Sequence, residues 1–208
     1  SRNAFFRLTG SLSTGSAGGV LLTSNVFPDA YDNQKWNLAV RLKHQNFPYV
    51  DGIDGATISD PVRKTYILEF YGANSAGGNI RQEFLTTASI ALGTNVTNFL
   101  RKHKRPYIGA HRTNFTGTVL QNSDVKIGSF RYWNSYLDNE VIKRHAMDSR
   151  NFGSLNPSKN AYFLHTALTG ANVPEMETLA LNWEFQREKG KSSNASGIIS
   201  DINDWSSG

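Results

Sequence analysis

The 208-residue chain contains no cysteine. That excludes a disulfide framework, thiolate metal sites and thiol catalysis, and leaves the redox compartment open. No apolar run approaches the roughly 20 residues of a membrane-spanning helix, so no membrane span is expected. No repeat of fixed period appears. The amino end, Ser1-Arg2-Asn3-Ala4-Phe5, has neither signal-peptide build nor initiator Met. It reads as a piece of something longer, as does the end at Asp204-Trp205-Ser206-Ser207-Gly208.

Most catalytic signatures are missing as well. There is no Glu-x-Asp-x-Glu, the spacing that aims an acid and a nucleophile from one strand into a cleft. His44, His103, His111, His145 and His165 show no metal-ligand spacing, and there is no nucleophile elbow, phosphate-cradling glycine loop or dinucleotide fingerprint. Glu69 and Glu83 fall on neighbouring strands and can face each other, but each reads first as a solvent-side residue. Glu175 and Glu177 lack a third partner, and His111 with Asp124 makes only a weak pair across a loop. An enzyme is not expected.

What is present is enough chain to bury roughly 70% of its unfolded surface, with 38% hydrophobic, 12% aromatic and 19% charged residues. The net charge of +5 owes most to one run, Arg101-Lys102-His103-Lys104-Arg105. Without Arg101, Lys102, Lys104 and Arg105 the remainder is nearly balanced. A basic patch confined to one turn is a solvated loop or a contact for an acidic partner, not the spread groove with interleaved aromatics that nucleic acid needs.

Alternation at period two marks strands: Phe5–Leu8, Val20–Leu22, Trp36–Lys43, Thr65–Gly72, Ile80–Thr86, Pro106–His111, Val125–Trp133 and Thr178–Phe185. Trp36, Leu38, Val40 and Leu42 point one way, with Asn37, Arg41 and Lys43 the other. Tyr66, Leu68 and Phe70 likewise oppose Ile67, Glu69 and Tyr71. Ala73–Asn79 reads as a Gly-rich turn, Asn114–Asp124 as a loop, and Ala88–Leu100 is undecided between helix and strand. One helix is predicted, capped by Asp138, with Val141, Ile142 and Ala146 as its buried stripe and Asn151 and Gly153 as its stop. The expected fold is therefore all-β, a two-sheet antiparallel jelly-roll sandwich with one short late helix. Residues 1–153 are assigned to the sandwich. Residues 154–208 are a connector plus carboxyl-terminal strand, completing it or beginning another domain. Trp36, Phe70 and Trp133 are expected to be occluded between the sheets.

Tyr107-Ile108-Gly109, the stretch Val125-Lys126-Ile127-Gly128-Ser129-Phe130-Arg131-Tyr132-Trp133 with the following Leu137-Asp138-Asn139-Glu140, and upstream Lys35-Trp36-Asn37-Leu38-Ala39-Val40 together resemble the laminin-G-like jelly roll. That family belongs to the concanavalin A-like lectin/glucanase superfamily. The resemblance covers residues 4 to 153 and speaks to fold far more than to ligand. The wording of Tyr107–His145, with His111-Arg112-Thr113-Asn114-Phe115-Thr116-Gly117 inside it, is also similar to modules of large structural proteins of tailed bacteriophages.

The resemblance implies a virion or extracellular surface location, with other subunits or glycans as partners. Arg131 is either buried against a carboxylate or exposed. A sugar site needs an aromatic platform with amides or carboxylates on edge loops; Tyr49, Asp51 and Asp54 supply one such set, and Asn114, Phe115 and Asp124 another. No cofactor is expected from the residues themselves; the resemblance allows a calcium ion, since some laminin-G-like domains hold one at such an edge, and the matching positions are near Asn114 and Asp124, although the family's ligand set is not clearly reproduced. Asn95, Asn114 and Asn194 stand in Asn-x-Ser/Thr triplets that matter only in a eukaryotic secretory route.

Overall fold

A computed structural model describes residues 3–10, 19–30, 34–45, 65–91, 108, 111–112, 118–120, 126–151, 153, 179–185 and 203–206. The strands are β1 (Arg7–Gly10), β2 (Gly19–Thr23), β3 (Trp36–His44), β4 (Thr65–Ala76), β5 (Asn79–Ala91), β6 (His111–Arg112), β7 (Val119–Leu120), β8 (Ser129–Trp133) and β9 (Leu179–Glu184). Among the described residues one helix, α1 (Asn139–Met147), precedes β9. All pairings among the described strands are antiparallel: β1 with β2, β3-β4-β5, β6 with β7, and β8 with β9. The described residues are mostly β with one short helix, as the alternation implied. It divides into two units, residues 1–100 with 135–176, and residues 101–134 with 177–208.

In the first unit, β4 and β5 run longer than the hydrophobic pattern suggests. The predicted turn over 73–79 shrinks to Gly77-Gly78, both at positive φ (61° and 76°), which is the pair of left-handed residues a two-residue hairpin turn requires. Ala73 and Asn74, nearly fully buried, are therefore strand residues. The register Trp36↔Asn74, Val40↔Phe70 and Phe70↔Thr86 puts Trp36, Leu42, Leu68, Phe70 and Phe84 on one face of the sheet. The ribbon formed by β1 and β2 covers that face, and Leu22, Phe27, Ala30, Leu68, Phe70 and Phe84 form its core. Phe6 stacks on Phe84 at 5.5 Å, Phe27 lies 4.9 Å from Trp36, and Phe70 meets Phe84 edge-on at 5.1 Å; such offset and edge geometries add to the area term. Gly72 makes this possible, because a Cβ there would run into the Phe84 ring.

The opposite face carries α1. Asp138 is the N-cap as predicted, its carboxylate accepting from the Val141 amide at 2.9 Å. Val141, Ile142 and Ala146 are buried with Leu137. The helix ends sooner than expected: the Asp148 amide closes it on the Arg144 carbonyl, before Asn151.

In the second unit, β8 is shorter than predicted, because Lys126, Ile127 and Gly128 precede it outside any strand. Val119–Leu120 forms β7 within the stretch read as a loop, and Ile108 is a bend rather than a strand residue. Phe130 pairs with Trp183, Arg131 with Asn182, and Trp133, half-buried, with Leu179. A segment around Asp204 bridges to Trp183.

Candidate functional site

The densest chemistry among the described residues lies on the helix-facing side of the β3-β4-β5 sheet. Alternation puts Asn37, Ala39, Arg41 and Lys43 there from β3, and Ile67, Glu69, Tyr71 and Ala73 from β4. Arg41 sits directly across from Glu69 in the register, with Nη2 at 2.7 Å from Oε2, and the side chains are 5% and 4% exposed. Glu69 is thus not the solvent-side residue its place in an alternating strand suggested. It also receives Lys43 Nζ at 2.8 Å and the Tyr136 hydroxyl at 2.9 Å.

Arg41 in turn reaches the entry to the helix, donating to the Leu137 carbonyl at 2.9 Å and to Asn139 Oδ1 at 2.7 Å. Its guanidinium stands 5.2 Å from the Tyr71 ring and 5.1 Å from the Tyr136 ring, within cation–π range. Only its Nε is buried without a partner.

A second knot lies along the same face. The Tyr71 hydroxyl donates to Glu83 at 2.7 Å, and Lys143 from the helix bridges Glu83 and Glu140, each at 3.1 Å. At the far end of α1 the Ala146 carbonyl accepts from Ser75 Oγ at 2.6 Å and from Lys35 Nζ at 3.4 Å. His145, buried, makes a 2.9 Å contact from Nε2 to the Gly153 carbonyl.

The electrostatics follow from this pairing. The Tyr71 hydroxyl, and then Lys143, hold the Glu83 carboxyl below its usual value. Burial opposes the charge on Lys43, but Glu69 and Tyr136 outweigh it and raise the ammonium above its ordinary value. Lys143 is raised by Glu140 and Glu83. Burial pushes both tyrosines up, assisted by Glu83 at Tyr71 and by Glu69 at Tyr136. Every shift favours the ionised acids and bases and the neutral phenols that the pairing requires. Glu69 and Glu83 share a face but do not meet: Glu69 lies opposite Thr87 and Glu83 opposite Ala73. Each is matched by its own cations, the reverse of a carboxylate pair tuned to share a proton.

The second unit holds a smaller version. Arg131 is largely covered and set against a carboxylate, nearer the first of the two alternatives left by the sequence: its side chain is 10% exposed, Nη2 lies 2.9 Å from Glu184 Oε1, and Nε donates to Asn182 Oδ1 at 3.1 Å. Asn182 is fully buried, with its Nδ2 lacking a partner. Its amide donates to Asp204 Oδ1 at 2.8 Å, and the Ser206 amide adds a second bond at 3.0 Å. Slight burial opposes ionisation of Asp204, but these bonds prevail and keep it below its usual value.

Of the residues singled out for binding, Tyr49, Asp51, Asp54, Asn114, Phe115 and Asp124 lie outside the described residues, as do Arg101, Lys102, Lys104 and Arg105. His111 is placed only as a backbone position in β6. The sequence reading missed the Arg41–Glu69–Tyr136 cluster. The available signal was an Arg and a Glu in the polar slots of two adjacent strands, on a face that a later amphipathic helix has to cover.

No family model, no curated protein and no solved structure matches this chain.

Proposed function

We propose that this chain is a non-catalytic structural module of a large virion or surface protein, built on a laminin-G-like two-sheet jelly roll and docking to neighbouring subunits. The observation that carries the reading is the commitment of the buried charges to one another. Arg41, Glu69, Lys43 and Tyr136 close on each other and on the helix entry, so their chemistry is spent on holding α1 to the sheet. Large apolar side chains stand in solvent instead: Phe5, Val26, Leu38, Val40 and Leu85 in the first unit. Exposed apolar area of this kind suits protein contact.

Cross-linking mass spectrometry on the native assembly tests the proposal. Links from Lys35 or Lys126 to other subunits are expected. The competing reading is a lectin-like domain for host glycans. Retention on a glycan array that is lost in Tyr49→Ala or Phe115→Ala, with the fold intact, would replace the docking module by that lectin.

A further inference from the structure

Among the described residues strand β3 is an edge of its sheet, and its backbone and side-chain patterns coincide at Leu38 and Val40. The Gln45 amide donates to the Thr65 carbonyl at 3.0 Å. This bond fixes the phase of the β3–β4 ladder. Residues 37, 39, 41, 43 and 45 turn their N–H and C=O groups toward β4, and Trp36, Leu38, Val40 and Leu42 turn theirs to the outer edge.

Among the described residues nothing pairs with that edge. The same residues send their side chains to the apolar face. Trp36 and Leu42 are drawn into the core beneath the β1–β2 ribbon, whereas Leu38 is 46% exposed and Val40 53% exposed. A long, open, hydrophobic edge is the feature natural sheets usually blunt with charge, proline or bulges. β3 has no proline and pairs with β4 through nine residues without a bulge, and its two cations, Arg41 and Lys43, are turned to the other face and held by Glu69.

We infer that a second copy of this chain occupies the edge, β3 pairing antiparallel with β3 about a two-fold axis at Val40. The inference rests on the docking reading above and names its surface and partner. Three features select a second copy. The strand runs from Trp36 to His44, so Val40 is its midpoint and a two-fold axis there pairs all nine residues. Outward-facing backbone groups then meet in the phase that antiparallel pairing needs, Val40 against Val40 and Leu38 against Leu42. On the opposite face Asn37 comes to lie beside Lys43 and Ala39 beside Arg41, so no like charges stand directly opposed. The result is a continuous sheet of six strands, with an isologous interface and no new open hydrophobic edge at its centre.

Analytical ultracentrifugation of the 208-residue chain tests this, together with Val40→Lys, Leu85→Lys and Val40→Cys. Wild type is expected at twice 23.1 kDa. Val40→Lys should fall to the monomer with an unchanged circular dichroism spectrum, since the side chain is already half in solvent. Leu85→Lys, also exposed but on β5, should leave the dimer in place. Because the chain has no cysteine, Val40→Cys offers a single thiol per copy. Partners roughly 5.5 Å apart at Cα in a hydrogen-bonded pair lie within disulfide reach, roughly 4.4–6.8 Å, and mild oxidation should yield a covalent dimer. A wild-type chain that stays monomeric up to its highest soluble concentration overturns the inference. So does a dimer that survives Val40→Lys. If the chain is monomeric yet the Leu38 and Val40 amides become protected from exchange on adding a different purified subunit, self-pairing is wrong while the docking reading stands.

Discussion

Two Arg–Glu pairs with little solvent exposure, one in each unit, solve the same problem at different depths of commitment. Arg41 and Glu69 are directly opposed across β3 and β4, and the carboxylate collects a lysine and a tyrosine besides the arginine. Arg131 and Glu184 meet on a diagonal across β8 and β9: Asn182 lies directly opposite Arg131 and takes one guanidinium bond, and Glu184, two residues further along β9, takes another. The first pair also reaches out of its sheet, through Leu137 and Asn139, to fix the start of α1. The second ties β8 to β9, and Asn182 links β9 on to the Asp204 segment. Burying charge is costly unless every lone pair and proton is answered. The comparison teaches that the first cluster fastens helix to sheet, whereas the second braces strand against strand.

Removing one member should expose the difference. Glu69→Ala strands Arg41, Lys43 and Tyr136 together, and a loss of about 3–5 kcal/mol in urea unfolding is expected. Glu184→Ala leaves Arg131 its bond to Asn182, so about 2 kcal/mol is expected. Equal losses would remove the distinction. Tyr136→Phe deletes one hydroxyl donor to Glu69 while the arginine and lysine remain, and should cost about 1 kcal/mol. Asp138→Ala, which releases the helix cap without touching the ion pairs, should cost about 1 kcal/mol as well, seen in amide exchange over 139–147 before any change in β3–β5.

The smallest effect is the pH dependence. Glu83 has a lowered folded value, so its contribution is present above the ordinary value of 4.5 and is lost as pH falls below it. Lys43 and Lys143 have raised folded values, so theirs are present below 10.5 and lost as pH rises beyond it. The contacts between α1 and the sheet should therefore loosen at both extremes, detected by amide exchange of the helix against that of β4. A helix that loosens at neither end would show these pairs to be idle, as surface pairs often are.

The strands were legible wherever alternation was clean. In Trp36–Lys43 and Thr65–Gly72 both the elements and their faces follow from the order of residues, because a period of two needs no knowledge of neighbours. The Asp138 cap was legible for a similarly local reason. The pattern failed where partners decide. Ala73 and Asn74 look like turn residues, yet they extend β4 because β3 and β5 hold both of their edges. The short strand at Val119–Leu120 has too little pattern of its own and exists by pairing with His111–Arg112.

Which side of a strand is polar was written in the sequence, but what that polarity does was not. Arg41, Glu69 and Tyr136 are separated by 28 and 67 residues along the chain, and no local rule says that a helix will roof the polar face and turn it into an interior. By itself the sequence determined the alternation, the cap and the absence of cysteine, since these depend on neighbouring residues and on composition. Tertiary structure alone decided that the charges lie inside while Leu38 and Val40 stand in water, because burial belongs to whatever packs against a face and not to the residue that occupies it.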